Sequence, residues 1–400
     1  MRPVLRTMLV AGALTTLGAL PVFLLSAQSV LVREDLRFSA PQLGLAVGAF
    51  FGAAALCSLS VGQLADRLGR RRSTVVAGLL SATAALGTAA GAWSFPVLLA
   101  LLVVAGVANA ALQMTANLLL ARTVPAGRRG LAFGVKQSAV PVAILLGGLA
   151  VPTVGLLVGW RWTYAGVALA AAVVVLGGLR VPPDKTGRSA GAASGEGAPT
   201  GALVVSALGM LLASGGVNAL GAFLPAWAFE VGLDPGTAGL LVAAGSGLSV
   251  AMRVVSGAAA DRRRGRNLPV VALQLAGGAA GLALLSVEAL PALLVGTFLA
   301  FGIGWSWPGL LLFAIVRMGR DSPATASGAV QAGAFAGGAL GPVLFGLLVG
   351  ATSYPVAWRA AAVVLLLAAG LLLAARRLFL TDLARRPPLH PLDAALPAEG

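Results

Sequence analysis

Two basic side chains lie inside long apolar runs of this chain, Lys136 and Arg253, and neither run carries a carboxylate at mid-length. A guanidinium at the centre of a membrane helix costs roughly 2.5–3.5 kcal/mol, so something must offset it. Arg253 stands eight residues before Asp261, about 12 Å along a helix at 1.5 Å per residue. That depth suits a cation in a wet cavity that meets an anionic solute. The competing reading is a structural pair with Asp261 or Asp66. Lys136 sits six residues past Gly130, at comparable depth in the other half of the chain; its stem can snorkel toward water instead. Two cations facing one cavity would grip a small carboxylate from both sides.

Further polar groups fall on helical stripes. Asn109, Gln113 and Asn117 recur every four residues, and Ser246, Ser249, Arg253 and Ser256 follow at steps of three, four and three. Gln137, Asn218 and Gln331 stand in other apolar runs, and Trp305-Ser306-Trp307-Pro308 interrupts another. Buried polar groups in lipid are costly unless paired or wetted, so these residues mark either a solute path or bonds between helices. The tryptophans either stack on a planar ligand or simply pack.

The elements that must position these groups are spanning helices. Of 400 residues, 58% are hydrophobic and 10% charged, with a mean hydropathy of +0.93; a soluble domain keeps roughly 25% charged residues. Lipid is therefore the expected solvent, and a bilayer the expected partner. The runs show no strand alternation and are long enough for the ~30 Å hydrocarbon core. Twelve spans are predicted near 7–31, 41–64, 73–92, 96–121, 130–157, 162–180, 202–230, 236–260, 268–287, 291–316, 324–350 and 357–375. The first run is longer than the ~7–15 residues of a signal-peptide core and is read as a span, with a cleavable signal as the alternative. The expected organisation is a six-helix bundle over 1–180, a cytoplasmic linker at 181–201 that is poor in bulky apolar residues, a second bundle over 202–378 and a cytoplasmic tail at 379–400.

The net charge of +15 is a matter of topology. With the N-terminus inside, 22 of the 28 Lys and Arg fall in cytoplasmic segments and four in outer ones, leaving Lys136 and Arg253. This positive-inside pattern places both termini in the cytoplasm of a cell (inner or plasma) membrane and explains the basic charge without nucleic acid. The single cysteine, Cys57, cannot form an internal disulfide, and the single histidine, His390, lies in the tail. No metal site, cofactor or catalytic pair is expected, and the absence of a phosphate-loop sequence argues against ATP hydrolysis.

The two halves repeat. Gly62, Asp66-Arg67 and Arg122 recur 195 residues on as Gly257, Asp261-Arg262 and Arg317; Gly134 and Gln137 recur after 194 as Gly328 and Gln331; Trp160-Arg161 recurs after 198 as Trp358-Arg359. Six spans duplicated in one orientation is a parallel repeat. The loop between spans 2 and 3 reads Gly62-Gln-Leu-Ala-Asp66-Arg67-Leu-Gly69-Arg70-Arg71 and closely resembles the loop motif of major facilitator transporters; the second copy, from Gly257, is looser. The resemblance implies the twelve-helix, two-bundle, all-α fold of that family and a functional monomer. It also implies a conformational latch at Gly62, Asp66, Arg67, Gly69 and Arg70, with Asp261 and Arg262 in the second copy; the bland reading is a basic loop that only sets topology. Gly44, Gly48 and Gly52 form a smooth face on span 2, read as packing. The position of Arg253 resembles oxalate and monocarboxylate carriers, and Lys136-Gln137 with Trp305 to Gly309 is similar to the cyanate-permease branch.

The function expected is secondary transport of a small anion by alternating access, with Arg253, Lys136, Gln137, Asn109, Gln113, Asn218, Trp305, Trp307 and Gln331 as solute-binding candidates. Without mid-span carboxylates the usual proton carriers are missing, which tells against common drug–proton antiport. Efflux of drugs or metabolites is the rival within transport. A non-transporting sensor is the rival from another class; the largest loop, about 21 residues, leaves it little room for a soluble domain.

Overall fold

A computed structural model describes residues 2–123, 135–180, 199–260, 267–318 and 323–385. Within these helices the side chains of 2–3, 59, 61–67, 70, 118, 121–123, 258, 316 and 323–325 are not described. Twelve helices are long and apolar enough to cross a membrane: Val4–Ala27, Ala40–Ser58, Arg71–Gly91, Phe95–Asn117, Val135–Val158, Trp160–Leu179, Thr200–Glu230, Pro235–Gly257, Asn267–Leu285, Leu290–Ile315, Ala326–Ala351 and Tyr354–Arg385. They are spans 1 to 12 below. Large apolar side chains such as Leu56, Leu157 and Leu169 stand exposed on their outer faces, as a lipid-solvated surface requires.

Hydropathy alone misplaces several boundaries. Span 1 stops at Ala27, and a separate short helix, Ser29–Leu36, follows. Spans 2 and 3 are one helical trace, Ala40–Gly91, broken only at Gly69. It is started by a capping box in which the Ser39 amide donates to Gln42 Oε1 at 2.7 Å. Span 12 runs through Arg385 instead of ending at 375, because Leu378, Phe379 and Leu380 extend the apolar pattern and Phe379 is fully buried. Span 10 is not one regular helix: a π-helical turn, Leu299–Ile303, leads into an irregular stretch, and helix resumes at Pro308.

Within each half, glycines let neighbouring helices approach closely. In the first, Gly18 of span 1 meets Asn109 of span 4, Gly78 of span 3 meets Val175 of span 6, and Gly147 of span 5 meets the backbone of Phe23. In the second, Gly209 and Gly216 of span 7 meet Leu372 and Leu365 of span 12, and Gly277 and Gly278 of span 9 meet Ile303 and Gly304 of span 10. The repeated Trp-Arg pairs do equivalent work. Arg161 caps the end of span 3 by donating to the Ala92 carbonyl at 2.9 Å. Arg359 reaches Ser286 at the end of span 9 at 3.4 Å. Asp35 joins the first clamp, pairing with Arg161 and accepting from Trp160 Nε1 at 3.0 Å. Partial burial pushes the Asp35 carboxyl up, but the bonds from Arg161 and Trp160 and the Arg161 charge outweigh it and hold it below the usual carboxylate range.

Among the described residues, twelve spans bring Val4 and Arg385, the outer ends of the first and last, to one face. Near the opposite face the halves meet along spans 2 and 11 and along spans 5 and 8. Gly44 and Gly48 of span 2 meet Pro342, Val343 and Ala339 of span 11, and Gly148 of span 5 meets Gly239 and Ala243 of span 8. The glycine face of span 2 thus packs, as its spacing predicts.

Candidate functional site

Prolines govern the local structure around Arg253. A helical carbonyl normally bonds the N–H four residues on, and proline has none. Pro141 in span 5 therefore leaves the Gln137 carbonyl without its helical partner, and the helical break before Pro308 does the same for Trp305. Arg253 occupies both oxygens: Nε donates to Trp305 O at 3.0 Å and Nη1 donates to Gln137 O. The same face of span 8 adds Ser246 Oγ to Pro141 O at 2.6 Å and Ser249 Oγ to Trp305 O at 3.5 Å. Ser256 accepts from Gln274 Nε2 at 3.0 Å. Every member of the predicted stripe is engaged, and two of them bridge the halves.

Arg253 is 9% exposed and Lys136 6%. Where the sequence predicts a wet cavity around the guanidinium, the structure shows it docked on backbone oxygens; the alternative pairing partners, Asp66 and Asp261, fall outside the described side chains. Lys136 lies next to the Gln137 that Arg253 touches. Its Nζ has one long contact, 3.4 Å to Gln113 Oε1, and Gln113 Nε2 in turn lies 3.5 Å from Asn109 Oδ1. Among the described residues neither cation meets a carboxylate. Both rest on neutral oxygens, which compensate a buried charge less well than a carboxylate does.

Lys136, Gln137, Gln113, Asn109, Arg253 and Trp305 thus form one connected group across spans 4, 5, 8 and 10. The Trp305 ring packs on Phe301, with centroids 5.5 Å apart, and lies against Gly221 of span 7. Trp307 is fully buried, and its Nε1 has no partner among the described residues. Asn218 is turned to its own helix, donating to Ser214 O at 2.9 Å and Ser214 Oγ at 3.1 Å, while Ser214 donates to Ala334 O of span 11 at 2.8 Å. Gln331 is half-buried without a side-chain hydrogen bond among the described residues. Of the expected latch, Gly69 has φ 74° and ψ 172°, a conformation essentially confined to glycine. The Gly62, Asp66, Arg67 and Arg70 side chains, and Asp261 and Arg262 entirely, lie outside what is described.

The sequence misses one site. A cavity of about 390 Å³ opens between the halves near the face opposite the termini, with Arg33, Arg37, Glu230 and Tyr354 in its wall. These residues are far apart in the chain, and no spacing announces them.

The profile of the Major Facilitator Superfamily matches residues 7–334 and 206–397, effectively the whole chain.

The chain belongs to the major facilitator superfamily.

Its twelve-helix architecture is that family's fold, and its function is that of a non-enzymatic membrane transporter. It is 30% identical over 358 residues to a chloramphenicol resistance protein of Streptomyces lividans, covering 86% of this chain and 89% of that protein. The inward-open xylose transporter of E. coli superposes with a TM-score of 0.75 at 16% identity, over 92% of this chain and 96% of that one. A bacterial homologue of the human lysosomal transporter Spinster, in an inward-facing and unoccupied conformation, gives 0.70 at 16% identity over 95% and 98%. At these identities the likeness of the two solved transporters to this one is a likeness of fold.

Proposed function

We propose that this transporter carries a small organic anion, of the monocarboxylate class, with Arg253 and Lys136 as its charge-bearing groups. One observation carries the reading: Arg253 is buried on the Gln137 carbonyl across the halves, the buried Lys136 is the residue next to it, and among the described residues only neutral oxygens answer the two cations. A carboxylate arriving there would supply charge-assisted bonds roughly twice as strong as those to carbonyls. It would also displace Gln137 O from Arg253 and so act on the bond that joins span 8 to span 5. Gln113 and Asn109 would orient it, with Trp305 as an apolar wall; Asn218, Trp307 and Gln331 are assigned a supporting place around the path. Within the superfamily, Lys136-Gln137 and Trp305 to Gly309 favour a place near the cyanate-permease and small-anion branch.

The bundles at 1–180 and 202–378, joined by 181–201 and followed by the tail at 379–400, would rock as a monomer about this site. The basic segments favour cytoplasmic termini in a cell membrane and put the latch residues Gly62, Asp66, Arg67, Gly69, Arg70, Asp261 and Arg262 on the cytoplasmic side. On that orientation the glycine contacts between the halves lie on the outer side.

Thermal stability of the purified protein against small carboxylates, inorganic anions and organic cations tests the reading. Stabilisation by a carboxylate, lost in Arg253→Gln, is expected, together with saturable uptake of that carboxylate into proteoliposomes. Stabilisation by cations alone would overturn it. A second reading, export of an uncharged drug, is favoured by the similarity to the chloramphenicol resistance protein; chloramphenicol accumulation in cells with and without the transporter distinguishes the two.

A further inference from the structure

We propose that the cavity opposite the terminal face is a second binding site, one that takes a dipolar ion of amino-acid size carrying a carboxylate and an ammonium on an apolar body. Its volume, about 390 Å³, lies in the range of small-molecule sites. Its walls come from both halves. The short helix Ser29–Leu36 and the turn after it bring Ser29, Arg33 and Phe38; the ends of spans 7 and 12 bring Phe229, Glu230 and Tyr354.

Charge is arranged as opposed poles held apart. Arg33 and Glu230 lie within electrostatic reach of each other, yet no ion pair closes between them among the described residues. Arg37 stands beside Arg33, and Glu34 also borders the cavity. Glu288 adds its like charge near Glu230. A simple anion here would satisfy the arginines and leave the glutamates facing it; a simple amine would do the reverse. A carboxylate turned to Arg33 with an ammonium turned to Glu230 answers both, and Phe38 and Phe229 offer the apolar body a surface.

A second observation points the same way. Ser29 and Tyr354 are 2% and 4% exposed, and Ser29 Oγ and Tyr354 Oη have no hydrogen-bond partner among the described residues. Buried hydroxyls without partners are costly, and both residues stand in the cavity wall. Arg37, with φ 51° and ψ 53°, is the left-handed C-cap that ends the helix Ser29–Leu36, its N–H donating to Arg33 O.

A ligand touching both halves stabilises the arrangement in which they meet on this face. It therefore slows the return stroke and acts as a non-competitive inhibitor of transport. The site stands apart from the Arg253–Lys136 group, and its binding can be measured without knowing the transported solute.

The test uses purified full-length protein and three probes with one apolar body: L-phenylalanine, 3-phenylpropionate and 2-phenylethylamine. L-phenylalanine is expected to raise the melting temperature saturably, and each singly charged analogue to need a concentration at least about tenfold higher. Arg33→Gln and Glu230→Gln, both at exposed positions, should each raise the half-saturating L-phenylalanine concentration at least about tenfold, a larger change than Arg253→Gln produces. Equal response to 3-phenylpropionate or 2-phenylethylamine would overturn the proposal. So would the absence of any L-phenylalanine response up to its solubility, or a response abolished by Arg253→Gln. Should a variant fail to fold, the probe series on the unaltered protein decides.

Discussion

Gly148→Ala should unbalance the conformational equilibrium by a calculable amount. A methyl group on Gly148 would lie 2.9 Å from Ala243 N and 3.1 Å from Ala243 Cβ, with the Gly239 carbonyl oxygen nearer still. Reciprocally, a methyl on Gly239 would stand 2.7 Å from Gly148 O. Carbon contacts prefer about 3.5–4.0 Å, so the shortfall is about 0.5–1 Å, and it is against backbone, which cannot rotate aside. Overpacking of this kind costs about 1–3 kcal/mol. The cost falls only on the arrangement in which spans 5 and 8 touch on that face. The gain in helix propensity, about 1 kcal/mol, is common to both arrangements and cancels. The halves-apart state should therefore gain about 5- to 150-fold in relative population. Leu43 reports it: the residue is 3% exposed and borders the cavity between the halves. In a Cys57→Ser background, Leu43→Cys should react with a bulky maleimide at least about fivefold faster when Gly148→Ala is added. Gly166→Ala is the control, since nothing lies within 4 Å of a methyl group there. Equal rates in the two variants, with both proteins monodisperse, would refute the reasoning.

Gly69→Ala should destabilise the protein by about 1–3 kcal/mol, read as a lower melting temperature in detergent, because the backbone of the Ala40–Gly91 trace leaves the helical region only at that residue. Asp35→Asn should flatten the acid limb of stability. The folded-state carboxyl titrates below the ordinary value of about 3.9, so its contribution is present above that pH and fades as pH falls through the lower folded value. The variant should lose about 1 kcal/mol or less at neutral pH, and the difference should shrink steadily toward the acid end of a melting series. Pro141→Ala restores an N–H that competes with Arg253 for the Gln137 carbonyl. Arg253→Gln should therefore lower the melting temperature by less in the Pro141→Ala background than in the unaltered protein, as a double-mutant cycle reads it; strict additivity would show that the carbonyl is not shared.

Much of the fold was legible because lipid leaves a long, uniform mark. Apolar runs of spanning length, the 195-residue recurrence of Asp-Arg and the glycine face of span 2 each follow from a requirement that acts along the chain. The π-helical turn at Leu299–Ile303 was not legible, since no residue type demands one. The partners of Arg253 were missed for a related reason. Sequence reasoning sought a carboxylate, whereas the structure uses carbonyl oxygens, whose only trace is a proline placed four residues later (Pro141) or just after (Pro308). The second cavity was invisible because Arg33, Glu230 and Tyr354 become neighbours only when the two bundles are brought together.

The irregular span 10 has no equivalent in its sister copy. Span 4, its counterpart by duplication, runs as uninterrupted helix from Phe95 to Thr123. Span 5 of the first bundle has a π-helical turn of its own, Val151–Gly155, whereas its counterpart, span 11, is continuous helix from Pro323 to Ala351. Divergence after duplication has thus placed one irregular turn in each bundle on helices that are not counterparts, so the two halves cannot exchange roles by simple symmetry as the cycle runs.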